Sequence, residues 1–306
     1  MINKRINIVS VFILVYNQEQ YIKQTIQSIL DQKTNFDFNL VIGEDCSTDD
    51  TLKILNNFKD KYPDQIKLIS LKKNIGLIHN FVNTIKECDG KFIAICDGDD
   101  FWLDECKLQK QVDFLENNLD YSIVFTNKTN LFSNGILKDS EEEKPETSNF
   151  NDLIKGNYIA SVTVLIRNKV SDFKIPDWFL KYPYGDWPLY LMTVNDGSKI
   201  KYLDIITAVY RTDIGVSSKI RKKISALTTI NLNILKDVYN DNFFRNHKTS
   251  IKKSIIDHEI MLMTSLNREK KYGSSFYIYL QLIPKINFFT LTKKYLYSLK
   301  LSVTTK

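Results

Sequence analysis

Three carboxylates stand within four residues at Asp97-Gly98-Asp99-Asp100, directly after the apolar run Phe92–Cys96. Acids this crowded repel one another, and at a hydrophobic strand end they are tolerated only beside cations. Mg²⁺ and Mn²⁺ take oxygen ligands and commonly bridge substrate phosphates. A Ca²⁺ loop of the EF-hand type is excluded, because Phe101-Trp102 stands where further ligands are needed. Asp45 follows a second apolar run, within VIGEDCSTDDT. On its own it reads equally as a helix cap or a solvated loop acid. Asp186, in Tyr184-Gly185-Asp186-Trp187-Pro188, can cap a helix whose first turn tolerates Pro.

The surrounding elements place these acids on one edge. Val9–Val15 is a continuous β-branched run, as expected of a strand buried on both faces. Gln20–Gln32 carries Tyr21, Ile22, Ile26, Ile29 and Leu30 on one helical stripe. Strands at 38–42, 66–71, 92–96 and 122–126 then alternate with helices at 77–87, 104–117 and one opened by Ser47 with Asp50 three residues on. Such alternation predicts an α/β fold with a doubly wound, mostly parallel sheet. Ligands of such sheets bind beyond the carboxyl ends of the strands. Those ends hold Tyr16-Asn17, Glu44-Asp45 and Asp97–Asp100. The alternation breaks at 127–150, which reads as a polar mobile loop. A strand at 161–167, a helix at 186–194 and one or two strands at 201–210 follow. The pattern turns helical from about residue 219, giving two expected regions, 1–218 and a C-terminal helical extension at 219–306.

Composition narrows the class. Hydrophobic residues make up 43% of the 306 and charged residues 25%, which excludes a disordered chain, collagen and a coiled coil. Only ten glycines argue against a glycine-rich phosphate cradle. Cys46, Cys88, Cys96 and Cys106 form neither a CxxC pair nor a zinc spacing, and read as reduced core thiols of a cytosolic protein. Lys4 and Arg5 before Ile6–Val15 resemble a short signal sequence, but no small-residue cleavage site follows, and a buried strand is the better reading. No apolar run approaches the roughly 20 residues of a transmembrane helix. The expected location is cytoplasmic, with peripheral attachment to the inner face of the membrane as a refinement.

The strand-helix order, the acids after the strands and the Asp-x-Asp resemble the family 2 nucleotide-sugar glycosyltransferases of GT-A fold. The resemblance covers about residues 6–218, through VSVFILVYNQEQYIKQTIQSIL, GEDCSTDDT, KNIGLIHNF, ICDGDDFW, GDWPLYL and YRTDIGVSS. It implies that Tyr16 and Asn17 lie near the nucleotide base and ribose, and that Asp45 bonds the uracil. It matches Asn74 and Gly76 to an Asn-x-Gly turn, Asp97 to an acid near ribose and phosphates, and Asp99 to the metal ligand. Asp100 either supports the site or caps the next helix. The resemblance makes Asp186 the general base that takes a proton from the acceptor hydroxyl in an inverting displacement. Arg211, in a segment expected to close over the pyrophosphate, can pair with phosphate oxygens. Relatives often carry His two positions after that Arg. Asp213 stands there and, with Asp97, is a further candidate metal ligand. Trp102 and Trp187 each read as a sugar-stacking ring or a core aromatic, and His79 as structural.

These features lead to an inverting, Mg²⁺- or Mn²⁺-dependent hexosyltransferase. It would move a sugar from a nucleotide donor, with UDP favoured, to a glycan or lipid-linked acceptor in surface polysaccharide or lipopolysaccharide synthesis. Two alternatives are a non-catalytic sugar-nucleotide or glycan-binding module, and a nucleotidyltransferase. The latter usually opens on a glycine-rich loop, which Val15-Tyr16-Asn17-Gln18 is not. Charge is uneven: residues 1–218 hold 25 Lys and Arg against 31 Asp and Glu, a net of −6, while residues 219–306 hold 17 against 5, a net of +12. The basic region reads either as a helical subdomain with a solvated face or as a contact with an anionic membrane surface. No recognised nucleic-acid module accompanies the charge, so no nucleic-acid partner is expected.

Overall fold

The computed structural model describes residues 8–215, 218 and 223–304. Lys4, Arg5, Val216, Ser217 and Lys306, which figure in the expectations above, lie outside the described residues. The chain divides into two compact units, residues 1–150 with 157–215, and residues 151–156 with 216–306. The short segment 151–156 joins the second unit, which composition does not reveal.

In the first unit, β1 (Val9–Val15), β2 (Phe38–Glu44), β3 (Ile66–Ser70) and β4 (Phe92–Ile95) pair in the parallel order β3-β2-β1-β4. Every residue of β1 and β2 is buried, which is why both read as unbroken apolar runs. The helices α1 (Ile22–Leu30), α2 (Thr51–Lys61), α3 (Leu77–Ile85) and α4 (Lys107–Asn117) make the connections. Ile22, Ile26 and Ile29 of α1 pack with Val11, Ile13, Leu40 and Phe92 in the core. Where α3 crosses β2, a Cβ on Gly43 would stand 1.9 Å from Thr84 Oγ1, so only glycine permits that approach. Ser47 does not cap α2. The cap residue is Asp50, whose own side chain makes no capping bond, while Ser47 Oγ accepts the Asn17 amide at 3.0 Å.

The rest of the sheet departs from a purely parallel one. The two-residue β5 (Phe101–Trp102) follows the acidic turn. β6 (Tyr121–Leu131) runs well into the region expected to be a mobile loop and hairpins back as β7 (Leu137–Asp139). β8 (Thr147–Ser148), β9 (Val164–Arg167) and β10 (Lys199–Arg211) complete the order β4-β9-β6-β10-β5. β9 lies antiparallel to both neighbours, whereas β10 is parallel to β6. The extension of β6 escaped a reading by apolar runs because its last residues are polar and are held by the ladders with β7 and β10. A 3₁₀ turn at Ser161–Thr163 leads into β9, and a four-residue helix α5 (Phe150–Leu153) and α6 (Asp186–Thr193) lie in the second half of the chain's sheet region.

The second unit is helical: α7 (Ile224–Asn240), α8 (Lys248–Arg268), α9 (Tyr272–Leu282) and α10 (Phe288–Thr304). α8 packs against the other three. Met263, Tyr279, Leu282 and Leu291 form one core cluster and Leu232, Leu262 and Leu266 another. Ser254 Oγ donates to the Ile154 carbonyl at 2.6 Å and ties the 151–156 segment to α8. Among the described residues no helix is long and apolar enough to cross a membrane.

Candidate active site

The carboxyl ends of β1 and β2 are stitched together. Asn17 sits in the left-handed region at φ 52°. There its Oδ1 accepts the Thr48 amide at 2.8 Å. Tyr16 beside it is exposed. Asp45 is buried, and its two oxygens accept the amides of Ile75 at 2.7 Å and Gly76 at 2.9 Å. Asn74 returns a bond from Nδ2 to the Asp45 carbonyl at 3.0 Å. Asp45 and the Asn-x-Gly turn are therefore one unit, with Gly76 at φ 85° as its hinge residue. His79 is exposed on α3.

The acidic turn comes next along the same edge. The Gly98 amide donates to the Leu14 carbonyl at 3.1 Å, and a Cβ on Gly98 would lie 2.2 Å from Gln18 Oε1. Glycine is required because the turn is pressed against the end of β1. Asp97 Oδ2 accepts the Ser161 hydroxyl at 2.8 Å. Asp100 is buried; its Oδ1 accepts the Arg211 amide at 2.8 Å, and its Oδ2 has no hydrogen-bond partner among the described residues. Burial, above all, raises the pKa of each of the three acids, opposed at Asp97 by the Ser161 hydroxyl. Asp99 is pushed up to about 6 by burial and then by the Asp97 charge, with Arg211 opposing. Burial and then the charges of Asp99 and Asp97 raise Asp100 further.

Arg211 ends β10 and reaches over this turn. Its guanidinium donates to the Asp99 carbonyl and, at 2.6 Å, to Gln24 Oε1. It lies between the rings of Tyr21 and Phe101, at 4.8 and 4.9 Å. Asp213 is exposed, and its Oδ2 accepts the Ser133 amide at 2.8 Å; that bond holds its pKa down. The residue that comes against Asp99 is Gly215, where a Cβ would stand 3.1 Å from Asp99 Oδ2.

Asp186 is the first residue of α6, behind the N-cap Gly185. Asn157 Nδ2 donates to its Oδ2 at 2.8 Å. Burial pushes its carboxyl up to about 6, the Asp97 charge adds to this, and the Trp187 amide and Asn157 oppose it. One turn on, the Tyr190 hydroxyl is buried with no partner among the described residues, and burial with the charges of Asp186 and Asp97 raises its pKa. Trp187 and Trp102 are core aromatics; the Trp102 ring N–H donates to the Val162 carbonyl at 3.0 Å.

Among the described residues no three His, Cys, Asp or Glu side chains form a ready-made metal cage. The donor chemistry nevertheless suits a divalent ion. Asp97, Asp99 and Asp100 are mutually repelling oxygen donors, and Asp100 Oδ2 is a buried acceptor with no donor among the described residues. A site with few protein carboxylates suits Mg²⁺ or Mn²⁺ completed by substrate phosphates. Asn157 lies in an irregular connection and carried no sequence signal, while Ser161, expected to open a strand at 161–167, instead opens the 3₁₀ turn ahead of β9. Gln24 sits on the polar side of the amphipathic α1, where the apolar stripe gives no signal for it.

The family model described as glycosyl transferase family 2 matches residues 10–171. An uncharacterized protein of Mycobacterium tuberculosis is 32% identical over 207 residues, 66% of this chain. The chain spans 58% of the length of that relative. The UDP-Glc:alpha-D-GlcNAc-diphosphoundecaprenol beta-1,3-glucosyltransferase WfaP of Escherichia coli is 28% identical over 217 residues, 68% of this chain and 78% of that protein. The mannosyltransferase PcManGT from Pyrobaculum calidifontis, solved with GDP-Man and Mn²⁺, superposes with a TM-score of 0.62 at 12% identity, covering 98% of this chain and 81% of that one. That likeness concerns the fold.

Proposed function

The chain belongs to glycosyl transferase family 2, and from that premise we propose that it moves a hexose from a UDP-linked donor to a hydroxyl of a glycan or lipid-linked acceptor, with inversion. The observation that carries the reading is electrostatic. Asp97, beside Asp99 and Asp100, and Asp186, at a helix start far along the chain, come close enough that the Asp97 charge adds to the burial that raises the Asp186 carboxyl. One end of the arrangement suits a diphosphate with its cation, and the other suits a proton acceptor.

Tyr16, Asn17 and Asp45 with Asn74 would hold the base and ribose. Asp97 would orient the sugar-phosphate side, kept in place by Ser161. Asp99, with Asp97 as a further candidate oxygen and the donor's phosphates completing the set, would hold a Mg²⁺ or Mn²⁺ ion, which when bound supplies positive charge against the leaving diphosphate. Arg211, already clamped by Gln24 and two rings, would offer N–H donors to the same phosphates. Asp186 would take the proton of the attacking hydroxyl. A carboxyl raised to about 6 is a better base than an ordinary aspartate and is still ionised at neutral pH. Asn157 would keep its second oxygen turned toward the acceptor.

A UDP donor and a lipid-diphosphate acceptor are supported by the activity of WfaP, and a divalent ion by the Mn²⁺ in PcManGT. Surface polysaccharide or lipopolysaccharide synthesis, and a cytoplasmic place at the inner membrane face, belong to the same proposal. A panel of nucleotide sugars, assayed for released nucleoside diphosphate with Mn²⁺ and with chelator, tests the reading. Chelator-sensitive release from one donor is expected. Release of pyrophosphate instead would indicate nucleotidyl transfer, and binding without any release would indicate a sugar-nucleotide-binding module.

A further inference from the structure

Residues 270–306 contain seven lysines and not one Asp or Glu. Within the second unit this stretch forms α9 and α10, and much of its apolar surface faces solvent. On α9 and the 3₁₀ turn that follows it, Phe276, Leu280 and Ile283 follow one another at helical spacing, all exposed, with Tyr277 beside them. On α10, Phe289 is 80% exposed and Leu296 58%. Phe289, Lys293, Leu296 and Lys300 fall on one stripe at intervals of four, three and four residues. The two helices are locked to each other by Tyr295, whose ring lies 4.7 Å from that of Tyr279 and 6.2 Å from that of Phe276. Phe288 and Phe289 project from the start of α10, just past Pro284 and Lys285.

We infer that the exposed face of α9 and α10 docks on an anionic lipid bilayer, with Phe276, Leu280, Phe289 and Leu296 entering the headgroup boundary and Lys293 and Lys294 meeting lipid phosphates. An apolar patch of this extent on a soluble protein marks an interaction surface. Its lysines choose the occupant. A second copy of the chain would bring like charges together with no carboxylate in the stretch to pair them. A bilayer bearing anionic lipids accepts both parts, because aromatic rings favour the headgroup level and lysine stems reach past apolar surface to place their ammonium groups in water. No described helix can span a bilayer, so the contact is interfacial. The inference stands on the second unit alone and does not depend on which sugar is moved, although it would bring the chain to the surface where a lipid-linked acceptor resides.

The test is sedimentation of the full chain with vesicles of phosphatidylcholine alone and of phosphatidylcholine mixed with phosphatidylglycerol, at low and high salt, with no donor present. The chain should pellet with the mixed vesicles, at least about tenfold more tightly than with the neutral ones, and lose most of that binding at high salt. Lys293→Glu/Lys294→Glu should weaken binding by about tenfold or more. Phe289→Ser/Leu296→Ser should also reduce it. All four positions are exposed, so both variants should melt with the wild type and keep its donor hydrolysis. Failure to pellet with any vesicle would overturn the inference, as would equal, salt-independent pelleting with both compositions. A dimer that these substitutions convert to monomer, without vesicle binding, would assign the face to a second copy and overturn it as well. Retained donor hydrolysis in any of these outcomes would leave the proposed reaction standing.

Discussion

The main-chain amide of Arg211 donates to Asp100 Oδ1 at 2.8 Å, joining the end of β10 to the acidic turn across 111 residues of sequence. The bond makes Asp100 the anchor that brings Arg211 over Asp99. Asp100→Ala leaves that amide without its acceptor and should cost about 1–3 kcal/mol in denaturant unfolding. Asp100→Asn keeps an acceptor oxygen and should cost clearly less. Equal losses would show that the bond does not anchor the segment.

Asp186 carries the second prediction. A carboxyl raised to about 6 by burial must lose its proton to act as base, so kcat/KM should fall as pH drops below about 6 and level off above it. Asp186→Asn should reduce transfer by about 10²–10⁴-fold with the fold intact, and should abolish that acid limb. An unchanged limb in the residual activity would move the base elsewhere.

Asn157 should tune that limb. Its amide bonds the ionised carboxylate at 2.8 Å and lowers the pKa of Asp186. Asn157→Ala removes this help, so the acid limb should move to higher pH. A fall in kcat with the limb unmoved would reduce Asn157 to a packing role.

Lys107 offers a prediction about stability alone. It is fully buried, donates to Gln111 Oε1 at 2.8 Å and lies 4.2 Å from the Trp102 ring centre. Burial lowers its pKa to about 7, against an unfolded value near 10.5. Between those values the unfolded chain holds a proton that the folded one has released, so stability rises with pH through this window. Unfolding free energies at pH 7 and pH 9 should show wild type gaining about 1–2 kcal/mol relative to Lys107→Met. No relative gain would mean that the amine stays charged in the fold.

Much of this arrangement could be read before any coordinates. Apolar runs buried on both faces identify β1, β2 and β4, and the rule that ligands gather at strand ends then selects Asn17, Asp45 and Asp97–Asp100. What escaped lies where periodicity is silent. Asn157 sits in a connection without a repeat and Ser161 in a 3₁₀ turn, and only tertiary contact shows their bonds to Asp186 and Asp97. The polar end of β6 is a strand through ladder bonds rather than through its own composition. Asp213 illustrates the limit of position matching: spacing from Arg211 points it at the metal, but the turn delivers its carboxylate to Ser133 and Gly215 to Asp99.

The central claim is that Asp99 and its neighbours hold a divalent ion against the diphosphate of a sugar nucleotide. Titration calorimetry of UDP into the wild type and Asp99→Ala, each with Mn²⁺ and with chelator, tests it most directly. The account predicts that UDP binds the wild type at least about tenfold more tightly with Mn²⁺ than with chelator, and that Asp99→Ala loses this difference while melting as a folded protein. UDP binding that is the same in all four conditions would contradict it.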